Sequence, residues 1–169
     1  RSVDASSGLQ IIAGQLLNKR AGTDMLQVPY RSTAQAIQDV ASGRIQFIIS
    51  SPGAVEGLAS VGKLRRIAIS SKRRFPGLED VATVAETLPD YYIDGWFLIA
   101  APPGTPSDVV QRVNQEAELA LKDGELRERF RMIGLGTSGA STPEAIAALI
   151  SSEQQRWRDI AQELNIQPQ

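Results

Sequence analysis

Arg31 stands directly before Ser32 and Thr33, and these hydroxyls precede a run in which Ala36, Ile37 and Val40 recur at helical spacing. That order predicts a helix capped by Ser32 and Thr33, with a guanidinium beside its positive end. Unpaired N–H groups and the dipole at such an end attract carboxylates, and arginine can hold a carboxylate through two parallel bonds. Ser6, Ser7 and Gly8 open a second predicted helix start, ahead of Leu9, Ile12, Ala13, Leu16 and Leu17. Ser50 and Ser51 follow an apolar run at 45–49 that reads as a buried strand of a parallel sheet, and open α/β sheets bind ligands at the carboxyl ends of their strands. Capping hydroxyls occur in helices of every function, so spacing alone also fits plain structural roles for all of these residues.

Cysteine and histidine are both absent. Thiolate nucleophiles, disulfides, histidine-based metal sites and the usual Ser-His relays are thereby excluded. Asp4, Asp24 and Glu56 remain as acid or base candidates, but no paired-carboxylate constellation is recognisable around them. An enzyme using one of these acids therefore ranks behind a binding role, and neither a cofactor nor a metal is expected. A net charge of −1 gives the molecule no reason to seek nucleic acid. The basic run Lys72-Arg73-Arg74 reads as solvated surface, and Trp96 and Trp157 read as core anchors.

The elements that must position these groups follow from hydrophobic periodicity. With 42% apolar and 22% charged residues in 169, the chain has the composition of a folded protein with a real core. No run approaches the roughly 18 apolar residues of a membrane span, and the first residues lack a signal-peptide pattern. Helix is predicted over 8–21, strand over 25–30, a second helix from Ser32-Thr33 to Gly43, strand over 45–49, helix over 53–60 and strand over 64–69. This alternation is that of a covered α/β sheet. Residues 70–80 read as a connecting loop, 81–86 as at most a turn or two of helix, and 91–101 as an extended aromatic stretch. Pro102-Pro103-Gly104-Thr105-Pro106 blocks helix until Ser107 caps the next one. A charged helix follows over 125–133, then a glycine-rich connection over 134–141. Thr142-Pro143-Glu144 starts the last helix, which carries Ile146, Leu149, Ile150, Trp157, Ile160 and Leu164 on one face.

Three groups of strings add a family likeness: VPYRSTAQAIQDVASGRIQF, then GKLRRIAISSKRRFPGLEDVATVAE, then AAPPGTPSDVVQRVN with STPEAIAALI and the Trp-containing last helix. In this order they resemble the Bug receptors, the TctC-like periplasmic components of tripartite tricarboxylate transporters. Ala82 stands where that family usually has proline, and Ile11 where it often has histidine. The resemblance implies an α/β, type II-like periplasmic binding fold, with one lobe plus the C-terminal part of the other. It places 1–94 as the distal ligand-binding lobe, and 95–169 as a crossing strand and the C-terminal helical part of the first lobe. Ser6 to Gly8 and Arg31 to Thr33 are implied to face the ligand cleft. The implied ligand is a small carboxylate, captured by hinge closure and delivered to the membrane components of the transporter, so the implied location is periplasmic. Family members begin with a further α/β segment to which nothing here corresponds, so this chain is expected to self-associate through surfaces that segment would cover. The rival expectation is the effector-binding domain of a transcription regulator, which can share this architecture.

Overall fold

The computed structural model describes residues 2–4, 8–137 and 139–166, so Ser6 and Ser7 lie outside the described residues. The chain divides into two compact units, Arg1–Asp94 with Arg131–Gly134, and Gly95–Phe130 with Leu135–Gln169. The first unit opens with strand β1 (Ser2–Asp4), helix α1 (Gly8–Ala21) and strand β2 (Leu26–Val28). β1 and β2 pair in parallel, Ser2 opposite Leu26 and Asp4 opposite Val28. The sequence pattern gave no strand at 2–4. A three-residue strand is defined by its distant partner and not by any periodicity of its own.

Helix α1 forms where expected. Ala13, Gly14 and Leu16 are its buried stripe, Lys19 and Arg20 sit in the last turn, and Gly22 ends it at a φ of 63°. Helices α2 (Thr33–Ala41) and α3 (Pro52–Ala59) follow β2. The predicted strands at 45–49 and 64–69 contract to single bridge residues, Phe47 and Ile69. Their apolar content secures burial of Ile45, but ladder formation also needs a run of neighbours in register, and among the described residues Ile69 bridges to Thr83 alone. That short connection is well tied: Ile69 donates to Ala82 at 2.9 Å, Val84 donates to Ile69 at 2.9 Å, and Ile93 donates to Ser70 at 2.8 Å. A 3₁₀ turn, Val84–Glu86, follows.

The core of this unit comprises Ala13, Leu16, Ala36, Ile37, Ile45, Val81, Tyr91 and Ile93. Tyr91 is 1% exposed, and its hydroxyl donates to the Ala13 carbonyl at 3.1 Å. Burial pushes its phenol up to about 12. At the rim, Glu86 accepts from Arg74 Nη2 at 2.7 Å and from the Thr83 N–H at 2.8 Å. The Arg74 guanidinium, helped by that amide, holds the Glu86 carboxyl at about 2 against an ordinary 4.5.

The Arg131–Gly134 stretch packs backbone against backbone on the first turn of α3. A Cβ on Gly53 would lie 2.5 Å from the Met132 carbonyl oxygen and 2.7 Å from the Ile133 backbone. No side chain fits there. Gly57, one turn further along the same helix, faces open space.

The second unit holds α4 (Ser107–Ala120), most of α5 (Gly124–Met132) and α6 (Pro143–Glu163). Pro106 occupies the cap position of α4, with Ser107 the first helical residue, because Pro106 is already fixed in an extended conformation (φ −54°, ψ 139°). Thr142 caps α6 as expected, accepting from the Ala145 N–H at 3.2 Å. Glu118 accepts from the Ala140 N–H at 2.6 Å and Asn114 donates to the Ser141 carbonyl at 2.8 Å, which fixes the turn leading into α6. Ile160 is the buried residue of α6. Trp96 and Trp157 are not core anchors: Trp96 is 42% exposed, and with Ile150, Ala161 and Ile166 the two line an open groove of about 610 Å³ on α6. The extended run before α4 is similarly bare, with Phe97 84% and Ile99 74% exposed. Among the described residues, no helix is long and apolar enough to cross a membrane.

Gly53→Ala should destabilise the protein by about 1 to 3 kcal/mol through overpacking, whereas Gly57→Ala should stabilise it by about 0.5 to 1 kcal/mol through helix propensity. Urea denaturation of both variants checks the pair, and an unaffected Gly53→Ala midpoint would remove the close approach of 132–133. The depressed Glu86 carboxyl favours the folded state above its unfolded value of 4.5, and this contribution disappears as pH falls toward about 2. Denaturation midpoints of wild type and Glu86→Gln should therefore differ at neutral pH and converge in acid. Finally, the bare apolar surface of the second unit should make the 169-residue chain associate with a second copy at micromolar concentration. Light scattering reporting a monomer throughout that range would refute this.

Candidate functional site

Strands β1 and β2 end together, since Asp4 lies opposite Val28. The chain leaving β1 enters α1 at Gly8, and the chain leaving β2 enters α2 at Thr33. Both helix starts therefore follow the same, carboxyl end of the ladder. A third joins them: Gln10, in the first turn of α1, donates from Nε2 to the Ile49 carbonyl at 2.8 Å, directly before Ser50, Ser51 and the start of α3. Gln27 of β2 donates to the Ile11 carbonyl at 2.8 Å and holds the same turn of α1 from the sheet side.

The charge at these starts sets them apart. Neither α1, α2 nor α3 carries an acidic residue in its first turn, whereas α4, α5 and α6 each do, at Asp108, Glu125 and Glu144. An acid in the first turn normally stabilises a helix by neutralising the positive end of its dipole. The first unit leaves those ends unneutralised where they gather, and adds Arg31. An anion placed there meets the positive ends of these helices and a guanidinium, without an acidic residue in the same first turns to repel it.

Each predicted residue can now be located. Gly8 is the exposed first residue of α1. Ser32 is the cap of α2 in an extended conformation (φ −152°, ψ 147°), and its Oγ accepts from the Gln35 N–H at 3.4 Å. Thr33 is the first helical residue, half-buried. Arg31 is exposed and makes no hydrogen bond or ion pair among the described residues. Ser51 caps α3 through its backbone, leaving its hydroxyl outside the capping bond, and the half-buried Ser50 precedes it. The structure thus brings Gly8 and Ser50-Ser51 near one another through Gln10, and places Arg31 to Thr33 at the matching end of the neighbouring strand. Sequence reasoning missed Gln10 and Gln27. Their bonds run to main-chain carbonyls, which no residue pattern marks. It also missed the acid-free first turns, although these are legible in the strings GLQI, TAQA and PGAV. Among the described residues, no group of three or more Asp and Glu is placed to hold a metal ion.

Comparison with known proteins bears on what such an arrangement serves. A family model described as tripartite tricarboxylate transporter family receptor matches residues 1–166. The UPF0065 protein in the tcbD-tcbE intergenic region of Pseudomonas sp. (strain P51) is 34% identical over 167 residues, covering 96% of this chain and 49% of that relative. Among solved structures, R. palustris Rpa4515 with adipate is 26% identical with a TM-score of 0.81, over 99% of this chain and 57% of that one. Another, described as a periplasmic transporter, is 30% identical with a TM-score of 0.80, over 98% of this chain and 56% of that one. The chain spans about half the length of these relatives. These likenesses show the α/β fold of the type II-like periplasmic binding proteins, and they lend nothing to a transcription regulator.

Proposed function

The chain belongs to the tripartite tricarboxylate transporter receptor family, and on that premise we propose that it is the carboxylate-capturing part of an extracytoplasmic solute-binding receptor. The observation that carries this reading is the gathering of acid-free helix starts beside Arg31 at one end of the β1–β2 ladder. Such backbone amides and a guanidinium select small anions, carboxylates among them, and the relative solved with adipate supports a carboxylate. Capture involves no bond making or breaking, so the protein is a receptor without catalytic residues or cofactor. In this reading Ser6, Ser7, Gly8, Arg31, Ser32, Thr33, Ser50 and Ser51 contact the ligand. Residues 1–94 are the distal ligand-binding lobe, and 95–169 supply a crossing strand and the C-terminal helical part of the first lobe. The receptor works in the periplasm and hands its ligand to the membrane components of a tripartite tricarboxylate transporter-type uptake system.

Isothermal titration of the receptor encoded by the complete gene against mono-, di- and tricarboxylates tests this, with binding of at least one dicarboxylate expected. Arg31→Ala should weaken that binding by about 1.5 to 3 kcal/mol, the usual contribution of a charge-assisted hydrogen bond. Unchanged affinity would remove Arg31 from the site, and no binding by any carboxylate would sink the reading.

A further inference from the structure

Tyr30 immediately precedes Arg31, and its hydroxyl donates to Asp39 Oδ2 at 2.9 Å. Asp39 belongs to the last turns of α2, and it is itself fastened on several sides. Its Oδ1 accepts from Arg44 at 2.9 Å, and its carbonyl accepts from the Arg44 N–H at 2.8 Å and from Ser42 Oγ at 3.2 Å. Tyr30 is thereby folded back along α2 onto a fixed acceptor. On the other side of Arg31, Ser32 is held by its own capping bond to Gln35. The backbone at Arg31 is therefore anchored through the residues before and after it, while the guanidinium makes no bond among the described residues.

The described cap and buried contacts of α2 do not involve the Tyr30 hydroxyl. Helix α2 already has a serine cap, and Ala36 and Ile37 supply its buried contacts. What the Tyr30–Asp39 bond adds is a defined direction for the chain entering α2, and Arg31 is the side chain that direction controls. A guanidinium on a fixed backbone loses less freedom when it pairs with an anion than one on a loose connection. We propose that Tyr30 and Asp39 are positioning residues for carboxylate capture, touching no ligand themselves and acting only through Arg31. The inference rests on the reading of the site given above.

A double-mutant cycle with adipate as the probe, measured by titration on the complete receptor, separates this role from a merely structural one. Tyr30→Phe keeps the ring and removes the donor, and should weaken adipate about 5-fold, the effect of one ordinary hydrogen bond. Asp39→Ala removes the acceptor and should act in the same direction. In an Arg31→Ala background both changes should have no further effect on adipate, because the group they serve is gone. Thermal midpoints of all variants accompany the titrations. Equal weakening by Tyr30→Phe with and without Arg31 would mean a general structural role and would overturn the proposal. Wild-type affinity in both Tyr30→Phe and Asp39→Ala, with Arg31→Ala weakened, would overturn the positioning role and leave the site intact. Wild-type affinity in Arg31→Ala would overturn the site itself and the positioning role with it.

Discussion

Parallel strands cannot be joined by a tight turn, so the chain between β1 and β2 must travel back along the ladder before the second strand can begin, and α1 is that return. This constraint orders the first unit. A helix that returns from the carboxyl end of a strand starts at that end, and its free N–H groups stay there. Because β2 ends level with β1, the next helix starts at the same edge. The register of Asp4 with Val28 is thus what sets both helix starts at one edge of the ladder, and a slip of one residue would alter both strand faces and the approach to α2.

That arrangement has an energetic cost that the second unit avoids. Asp108, Glu125 and Glu144 each offset the dipole of their own helix, by about 0.3 to 1 kcal/mol for an exposed group. Helices α1, α2 and α3 forgo that contribution. The unit can bear this because its helices are held by tertiary burial: Leu16 and Ala13 on α1, Ala36 and Ile37 on α2, and the Tyr91 hydroxyl bonded to the Ala13 carbonyl from a position 78 residues away. Helical stability in proteins comes mainly from such packing. The backbone contact of 132–133 with Gly53 serves α3 in the same way, since none of the residues of that helix is buried.

How much of this could be read from the sequence depended on whether the signal was local. The helices at 8–21 and after Thr142-Pro143 were legible because caps, periodicity and stop residues all lie within one element. Of the strands, β2 was legible, inside the predicted 25–30. β1 was not, since it carries no pattern that a loop could not show, and 45–49 and 64–69 have strand composition but keep single bridge residues, Phe47 and Ile69, among the described residues. The same divide runs through the site. Ser32 as a cap is a local fact, whereas the meeting of α1 with Ser50-Ser51 depends on one bond between Gln10 and Ile49, separated by 39 positions. Trp96 and Trp157 were misread because large aromatic residues usually find an opposing layer, and here the groove they line stays open.

That open groove follows from how unevenly burial is divided. Ala13, Leu16, Ala36, Ile37, Ile45, Val81, Tyr91 and Ile93 are all in the first unit, while among the described residues Ile160 is the buried apolar residue of the second. Apolar surface contributes to stability only when removed from water, at about 25 cal/mol per Å². The helices of the second unit are therefore stabilised chiefly by local devices: the Thr142 cap, the tie between Glu118 and Ala140, and surface ion pairs such as Arg112–Glu116. Such devices hold helices without fixing a core, and exposed pairs of this kind contribute little. The residues proposed to contact a carboxylate sit in the unit that holds most of the buried apolar side chains. The geometry of that stretch follows from the β1–β2 register and the Tyr91 anchor.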